Sequence, residues 1–181
     1  MKVIGVVGGP RRDGHTARLV EEILAGARES ANETHIFYLC DMNINPLEYG
    51  EEGYIYPEDD FASLMRHLET MDGIVIGTPI YYDHVSSRTK LFIDRLYYYS
   101  MSHGAEYRKL FPNGIKCVNV ITCGWDNPNA YDEVLEWMNG RMTNYWKMQI
   151  IGTLKGYGSH KRPVKDNASL LAKAKEVGKR F

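Results

Sequence analysis

Five short apolar runs punctuate the chain, and longer stretches of mixed polarity separate them. The runs are Val3–Gly8, His35–Cys40, Asp72–Thr78, Lys116–Thr122 and Gln149–Leu154. Each holds few polar residues in its interior, the pattern of a strand buried on both faces. The stretches between them repeat apolar positions at helical spacing. They predict helices over Thr16–Ala31, Asp59–Thr70, Ser86–Met101 and Ala130–Tyr145, with a last helix over Asn167–Arg180. Five strands alternating with five helices predict one domain over residues 1–181. Its architecture is α/β: a doubly wound, five-stranded parallel sheet of order 2-1-3-4-5, with right-handed crossovers and helices on both faces.

In such a sheet a ligand sits beyond the C-terminal strand ends, where the strand order reverses. Here that point falls between the first and third strands. The first strand leads into Gly8-Gly9-Pro10-Arg11-Arg12-Asp13-Gly14-His15-Thr16, a turn that opens into a helix. A strand, a turn and a helix start in this order aim free backbone N–H groups at a phosphate. The dinucleotide fingerprint Gly-x-Gly-x-x-Gly fails, because Val7 or Pro10 stands at its second glycine. The triphosphate loop Gly-x-x-x-x-Gly-Lys-Ser/Thr is met by Gly9, Gly14 and Thr16, but His15 replaces its lysine. A histidine, mostly neutral at pH 7, does not hold the outer phosphates of a triphosphate as lysine does. The turn therefore suits a terminal monophosphate, or it is an ordinary tight turn.

The third strand ends in Thr78-Pro79-Ile80-Tyr81-Tyr82-Asp83-His84. Adjacent residues of an extended loop point different ways, so at most one of Tyr81 and Tyr82 covers a ligand ring. The other packs under the following helix. The fourth strand ends in Thr122-Cys123-Gly124-Trp125, again a glycine and an aromatic beyond a strand. A phosphate turn and two aromatic loops on one sheet edge suit a flat ring with a phosphate tail, and FMN fits that description.

Composition narrows the reading. A net charge of −1 makes no electrostatic case for a nucleic-acid partner. The run Val3–Val7 is too short to span a bilayer, and Met1-Lys2 leaves no room before it for a signal peptide. Cys40, Cys117 and Cys123 are an odd, scattered set, which points to reduced thiols in a cytoplasmic protein and to no metal site. Thirteen tyrosines and three tryptophans serve either core packing, a flat aromatic ligand or a self-association face.

On these residues the chain resembles the flavodoxin-like FMN-binding proteins of the NADPH-dependent FMN reductase and iron–sulfur flavoprotein group. The group's first loop runs close to Gly-Ser-Pro-Arg-x-x-Gly-Asn-Thr, against Gly8 to Thr16 here. Its second motif is Pro-x-Tyr-aromatic, followed by a helix ending Leu-Lys-x-Phe-x-Asp-Arg. Here stand Pro79-Ile80-Tyr81-Tyr82 and Thr89-Lys90-Leu91-Phe92-Ile93-Asp94-Arg95. Met148–Gly152 is similar to its fifth strand, so the resemblance covers nearly the whole chain. Gly9 replaces the group's serine and His15 its asparagine, which alters two side-chain phosphate contacts. The iron–sulfur members carry four cysteines ahead of an Asp-Asp pair. Ile44-Asn45-Pro46 and Asp59-Asp60 keep that context, but Leu47–Tyr56 contains no cysteine. Thiolates hold such clusters, so no iron–sulfur cluster is expected, and the acidic segment reads as a solvated lid.

The resemblance implies bound FMN rather than FAD, with NAD(P)H as electron donor and a quinone, free flavin or other small molecule as acceptor. It assigns the phosphate to Gly9, Pro10, Arg11, Arg12, Gly14, His15 and Thr16. It assigns the ring to Pro79, Ile80, Tyr81, Tyr82 and Asp83, with Cys123, Gly124 and Trp125. A flavin brings its own chemistry, so no catalytic side chain is assigned. His84 is either a proton donor or structural, and Asp94 and Arg95 read as an ion pair or a helix-end contact. Two other readings stand beside the oxidoreductase: a non-enzymatic FMN electron carrier serving a partner protein, and a nucleotide-phosphate enzyme. The missing lysine and the absence of an aspartate at Thr78-Pro79 weigh against the latter. The aromatic segments Leu96–Met101 and Tyr49–Tyr56 predict a homodimer or homotetramer in which a neighbour's loop covers the ring. The alternative is that these tyrosines lie on the monomer surface.

Overall fold

In the computed structural model, which describes residues Met1–Phe181, eight strands and six α-helices follow one another along the chain. The strands are β1 (Lys2–Val7), β2 (Glu33–Tyr38), β3 (Glu48–Gly50), β4 (Gly53–Ile55), β5 (Gly73–Tyr81), β6 (His84–Val85), β7 (Lys116–Thr122) and β8 (Gln149–Gly156). The helices are α1 (His15–Glu29), α2 (Phe61–Leu68), α3 (Ser87–Arg95), α4 (Ala105–Leu110), α5 (Asp132–Trp146) and α6 (Ala168–Gly178). Five strands pair in parallel in the order β2-β1-β5-β7-β8, which is the predicted 2-1-3-4-5.

The two-sided apolarity of the inner strands has a direct consequence. Ile4, Val6, Ile74, Ile76 and Ile121 point to one face, where Phe61, Leu64, Phe92, Met138 and Met142 of α2, α3 and α5 cover them. Val3, Val7, Val75, Val118 and Val120 point to the other, beneath Leu19, Val20 and Ile23 of α1 and Val177 of α6. Helices α1 and α6 pack closely at two glycines. A Cβ on Gly26 would overlap the Lys175 carbonyl, and one on Gly178 the Ile23 carbonyl.

The second main strand is Glu33–Tyr38 rather than His35–Cys40, because Leu39–Asp41 turns as a 3-10 helix, and three larger differences each have a physical cause. The third main strand runs on to Tyr81 because it folds back on β6 as an antiparallel hairpin. The helix expected over Ser86–Met101 stops at Arg95. Two 3-10 turns, Leu96–Tyr99 and Met101–His103, then lead to α4. Tyr99 is drawn wholly into the core against Phe111, ring centroids 5.1 Å apart, and the Ser100 hydroxyl caps the second turn. The segment expected as a solvated lid forms the hairpin β3–β4, with Tyr49 opposite Tyr54.

The base of that excursion is tied by a buried ion pair. Arg95 Nη1 lies 2.5 Å from Asp59 Oδ2, with both side chains almost fully buried. Asp59 also accepts the N–H of Asn45 at 2.8 Å and of Phe61 at 3.0 Å. Arg95 donates to the carbonyls of Asn45 and Pro57 and lies over the Phe61 ring. Asp94 pairs instead with Lys90 one helical turn away, so Asp94 and Arg95 are not partners. Neighbours on a helix point about 100° apart, and these two face solvent and core respectively.

Candidate functional site

The chain leaves β1 through Gly8, whose N–H donates to the Gly77 carbonyl at 2.8 Å. A Cβ at Gly8 would overlap the Thr89 hydroxyl, so only glycine fits there. The Gly14 N–H closes a tight turn on the Arg11 carbonyl at 3.3 Å, and Gly14 starts α1 without a side-chain cap. The N–H groups of Arg12, Asp13, His15 and Thr16 have no acceptor within the protein. Free donors at a helix N-terminus, reinforced by the helix dipole, make an anion cradle.

Two side chains complete the cradle. Thr16 is buried, its Oγ1 2.6 Å from Thr122 Oγ1 at the end of β7. With Thr122 as donor, the Thr16 proton is free for another acceptor. His15 Nδ1 accepts the Val164 N–H at 3.3 Å, which assigns the neutral ring's proton to Nε2. Burial, then the charges of Arg11, His160 and Lys165, lowers the His15 pKa, so the ring is neutral at pH 7 and Nε2–H is a donor. Arg11 is exposed. Arg12 pairs with Asp41 at 2.6 Å and lies over the Tyr38 ring.

The Pro79–Val85 loop is not the extended loop expected. Tyr82 and Asp83 occupy the turn of the β5–β6 hairpin with φ of 45° and 60°. Successive left-handed residues are the signature of a type I′ turn, usually met by Asn and Gly. A tyrosine there is strained, and backbone strain of this kind clusters at ligand sites. Neither tyrosine packs under the next helix: Tyr81 is 50% exposed and Tyr82 fully so. The Asp83 carboxylate raises the pKa of the Tyr131 phenol, itself on a left-handed residue at the start of α5. His84 stacks edge-on against Trp137 at 4.6 Å. Beyond β7, Trp125 is 60% exposed and the Cys123 thiol points at its carbonyl. Burial raises the Cys123 pKa, so this thiol stays protonated.

Two supporting features escaped the sequence reading. Ser86 caps α3 and donates to the Gly8 carbonyl at 2.8 Å, while its own N–H reaches Thr78 Oγ1 at 3.0 Å. This buried hydroxyl node clamps the Gly8–Thr16 turn to the Pro79–Val85 loop. Ser86 carried the signal, since a serine directly before a helical pattern is a favoured N-cap. The second feature is the loop after β8. Gly158 and Ser159 N–H groups bond the carbonyls of Trp125 and Cys123, Arg162 pairs with Asp126, and the His160 ring covers Gly124. Together with the Val164–His15 bond, this loop straps the cradle to the third loop. No local motif announces it.

The expected tyrosine face is largely consumed internally. Tyr54, Tyr56, Tyr97 and Tyr107 surround His103, whose Nε2 lies 2.7 Å from the Tyr56 hydroxyl, and Tyr98 packs edge-on against Tyr56 and Tyr107. Tyr49, Tyr54, Ile55 and Met101 keep substantial exposed surface. No three His, Cys, Asp or Glu side chains converge on a common metal position. No helix is long and apolar enough to cross a membrane.

A doubly wound parallel sheet with an anion cradle after its first strand, and aromatic loops beside it at the switch point, defines a flavodoxin-like protein. Residues 1–112 match the family of NADPH-dependent FMN reductases, and the chain belongs to that family. An iron-sulfur flavoprotein of Methanocaldococcus jannaschii is 37% identical over 99 residues. That match covers 52% of this chain and 51% of the relative, so it spans about half the relative's length. YwqN of Bacillus subtilis, provisionally named an NAD(P)H-dependent FMN-containing oxidoreductase, is 27% identical over 188 residues. That alignment covers 99% of this chain and 98% of YwqN. An NAD(P)H:quinone oxidoreductase from Methanothermobacter marburgensis superposes with a TM-score of 0.70 at 17% identity. It covers 99% of this chain and 96% of the other, a likeness of fold.

Proposed function

We propose that the protein is an FMN-dependent oxidoreductase that draws electrons from NAD(P)H and delivers them to a small acceptor, a quinone or free flavin. One observation carries the reading: the N–H groups of Arg12, Asp13, His15 and Thr16 lack acceptors at the sheet edge where exposed Tyr82 and Trp125 stand. This donor set fits a monophosphate with a flat ring beside it.

In this reading the phosphate rests on the backbone of Arg11–Thr16, with the Thr16 hydroxyl and His15 Nε2–H as side-chain donors. Charged acceptors strengthen each of these bonds. The ring lies between the backbone of Ile80–Asp83 and that of Cys123–Trp125. Tyr81 or Tyr82 covers one face. When bound, FMN supplies the hydride chemistry, accepting from a nicotinamide and reducing a second substrate. The protein's own work is to hold, orient and screen the ring, and no side-chain acid or base is required. The exposed apolar side chains of Tyr49, Tyr54, Ile55 and Met101 support association of two or four copies. Sedimentation at micromolar concentration tests it, and a clean monomer removes it.

The experiment for the reading itself is titration of the purified protein with FMN, followed in the visible spectrum, then assay with NADH and NADPH and a quinone or free flavin. Equimolar FMN and turnover are expected. FMN binding without turnover moves the protein to the electron-carrier alternative. No FMN binding overturns the flavin reading outright.

A further inference from the structure

The loop after β8 is fixed at both ends against the candidate site. At one end the Gly158 and Ser159 N–H groups bond the Trp125 and Cys123 carbonyls at 2.9 and 3.1 Å. At the other the Val164 N–H bonds His15 Nδ1 at 3.3 Å. The segment 159–164 therefore runs from the loop beyond β7 to the anion cradle. Gly158, with a left-handed φ of 64°, makes the sharp turn that starts it.

Two of its long side chains are turned away from that path. Lys161 Nζ lies 3.7 Å from Asp126, and Arg162 pairs with the same carboxylate and lies over the Tyr157 ring. His160 is left free. It is exposed and takes part in no hydrogen bond or ion pair. The Cδ2–Nε2 edge of its ring lies against Gly124, 2.3 Å from where a Cβ would stand. On its other side is His15, whose pKa the charge of His160 helps to lower. The imidazole thus stands between the cradle and the loop beyond β7, on backbone held from both ends.

A ligand with its phosphate in the cradle and its ring beside Gly124 passes this imidazole. We propose that His160 is a direct contact of the flavin, donating a side-chain hydrogen bond that holds the reduced ring more tightly than the oxidised one. The inference rests on the flavin reading above. A hydride brings the ring two electrons and one proton, so the ring gains one negative charge. An imidazole N–H is a donor whether or not the ring is charged. Its bond to a charged acceptor is stronger than its bond to a neutral one. Hydrogen bonds of this kind tune a flavin's electronics, and one that favours the reduced form raises the midpoint potential.

The test compares wild type, His160→Ala and His160→Gln. Each is titrated with oxidised FMN, and the midpoint potential of the FMN-loaded protein is read in the visible spectrum against a redox dye. In His160→Ala the reduced ring is expected to lose about tenfold in binding relative to the oxidised ring, the scale of one bond to a charged group. For a two-electron couple this lowers the midpoint by about 30 mV. His160→Gln keeps an N–H donor at similar reach and recovers most of the drop. A packing role for His160 would weaken both forms alike and leave the potential unmoved, and that result overturns the proposal. A drop in His160→Ala that His160→Gln does not relieve overturns it as well. FMN binding with an unmoved potential refutes this inference alone, whereas a wild type that binds no FMN refutes the flavin reading and this inference with it.

Discussion

Replacing Asp59 with asparagine probes how the 43–60 excursion is anchored to the sheet. The substitution keeps the shape of the side chain and removes its charge. Asp59 is fully buried and receives Arg95 at 2.5 Å, Asn45 N–H at 2.8 Å and Phe61 N–H at 3.0 Å. An amide offers one acceptor oxygen where the carboxylate offers two. The Arg95 guanidinium is then left buried without a counter-charge, in a site where its Nε already lacks a partner. Breaking a buried pair costs about 3–5 kcal/mol. In a chain of this size each 1 kcal/mol shifts the midpoint by about 2–4 °C, so Asp59→Asn lowers Tm by about 10 °C. Arg95→Met leaves the carboxylate its two backbone donors and costs less. The double variant recovers part of the loss, because no unpaired charge remains. Burial alone raises the Asp59 pKa, but the hydrogen bonds from Arg95, Asn45 and Phe61 outweigh it and hold the carboxyl below its ordinary range. A folded pKa below the unfolded one stabilises fully above the ordinary carboxylate range, and the contribution is lost as pH falls through the depressed value. The gap between wild type and Asp59→Asn therefore narrows below about pH 4. Thermal unfolding followed by circular dichroism at pH 7 and in acid reads all of this. A single-variant midpoint within about 2 °C of wild type at pH 7 would refute the reasoning.

Thr16→Val removes one charge-assisted donor from the cradle and should weaken FMN by about 1 kcal/mol or more, and unchanged affinity by titration counts against the placement. His15→Asn tests the imidazole beside the phosphate. Phosphate binding raises the lowered His15 pKa, so wild type gains affinity over the variant as pH falls from 8 to 5. A unit charge about 4 Å from the phosphate in a watery medium contributes about 1 kcal/mol, so the gain is about fivefold, and a flat ratio removes the idea. Gly26→Ala forces a Cβ onto the Lys175 carbonyl and should destabilise the α1–α6 contact by about 1–3 kcal/mol in urea unfolding, while a neutral effect would show that the helices can part freely. Protein made anaerobically with ample iron should hold no stoichiometric iron or acid-labile sulfide, and four irons per chain would overturn the reading of Leu47–Tyr56.

What was legible in the sequence is what short-range pattern encodes. Runs such as Lys116–Thr122, apolar on both faces and alternating with helical patterns, read as inner strands of a doubly wound sheet, and the order 2-1-3-4-5 expected of that class is the one found. The Gly8–Thr16 turn was legible because a helix start after a buried strand leaves donors free wherever it occurs. Even Tyr82 and Trp125 were legible as aromatics beyond strand ends, though their exposure was not. The tertiary structure decided the rest. Arg95 chose Asp59, far along the chain, over its neighbour Asp94, because helix geometry turned one side chain inward and the other out. Tyr99 went to the core while Tyr97 packed on His103 and Tyr98 on Tyr56 and Tyr107, which composition could not distinguish. The loop after β8 reached back to His15 and Gly124 and brought Lys165 beside Arg18. Those pairings join residues remote in sequence. Their energy comes from burial and from long-range partners that exist only once the sheet has formed, so no local propensity records them.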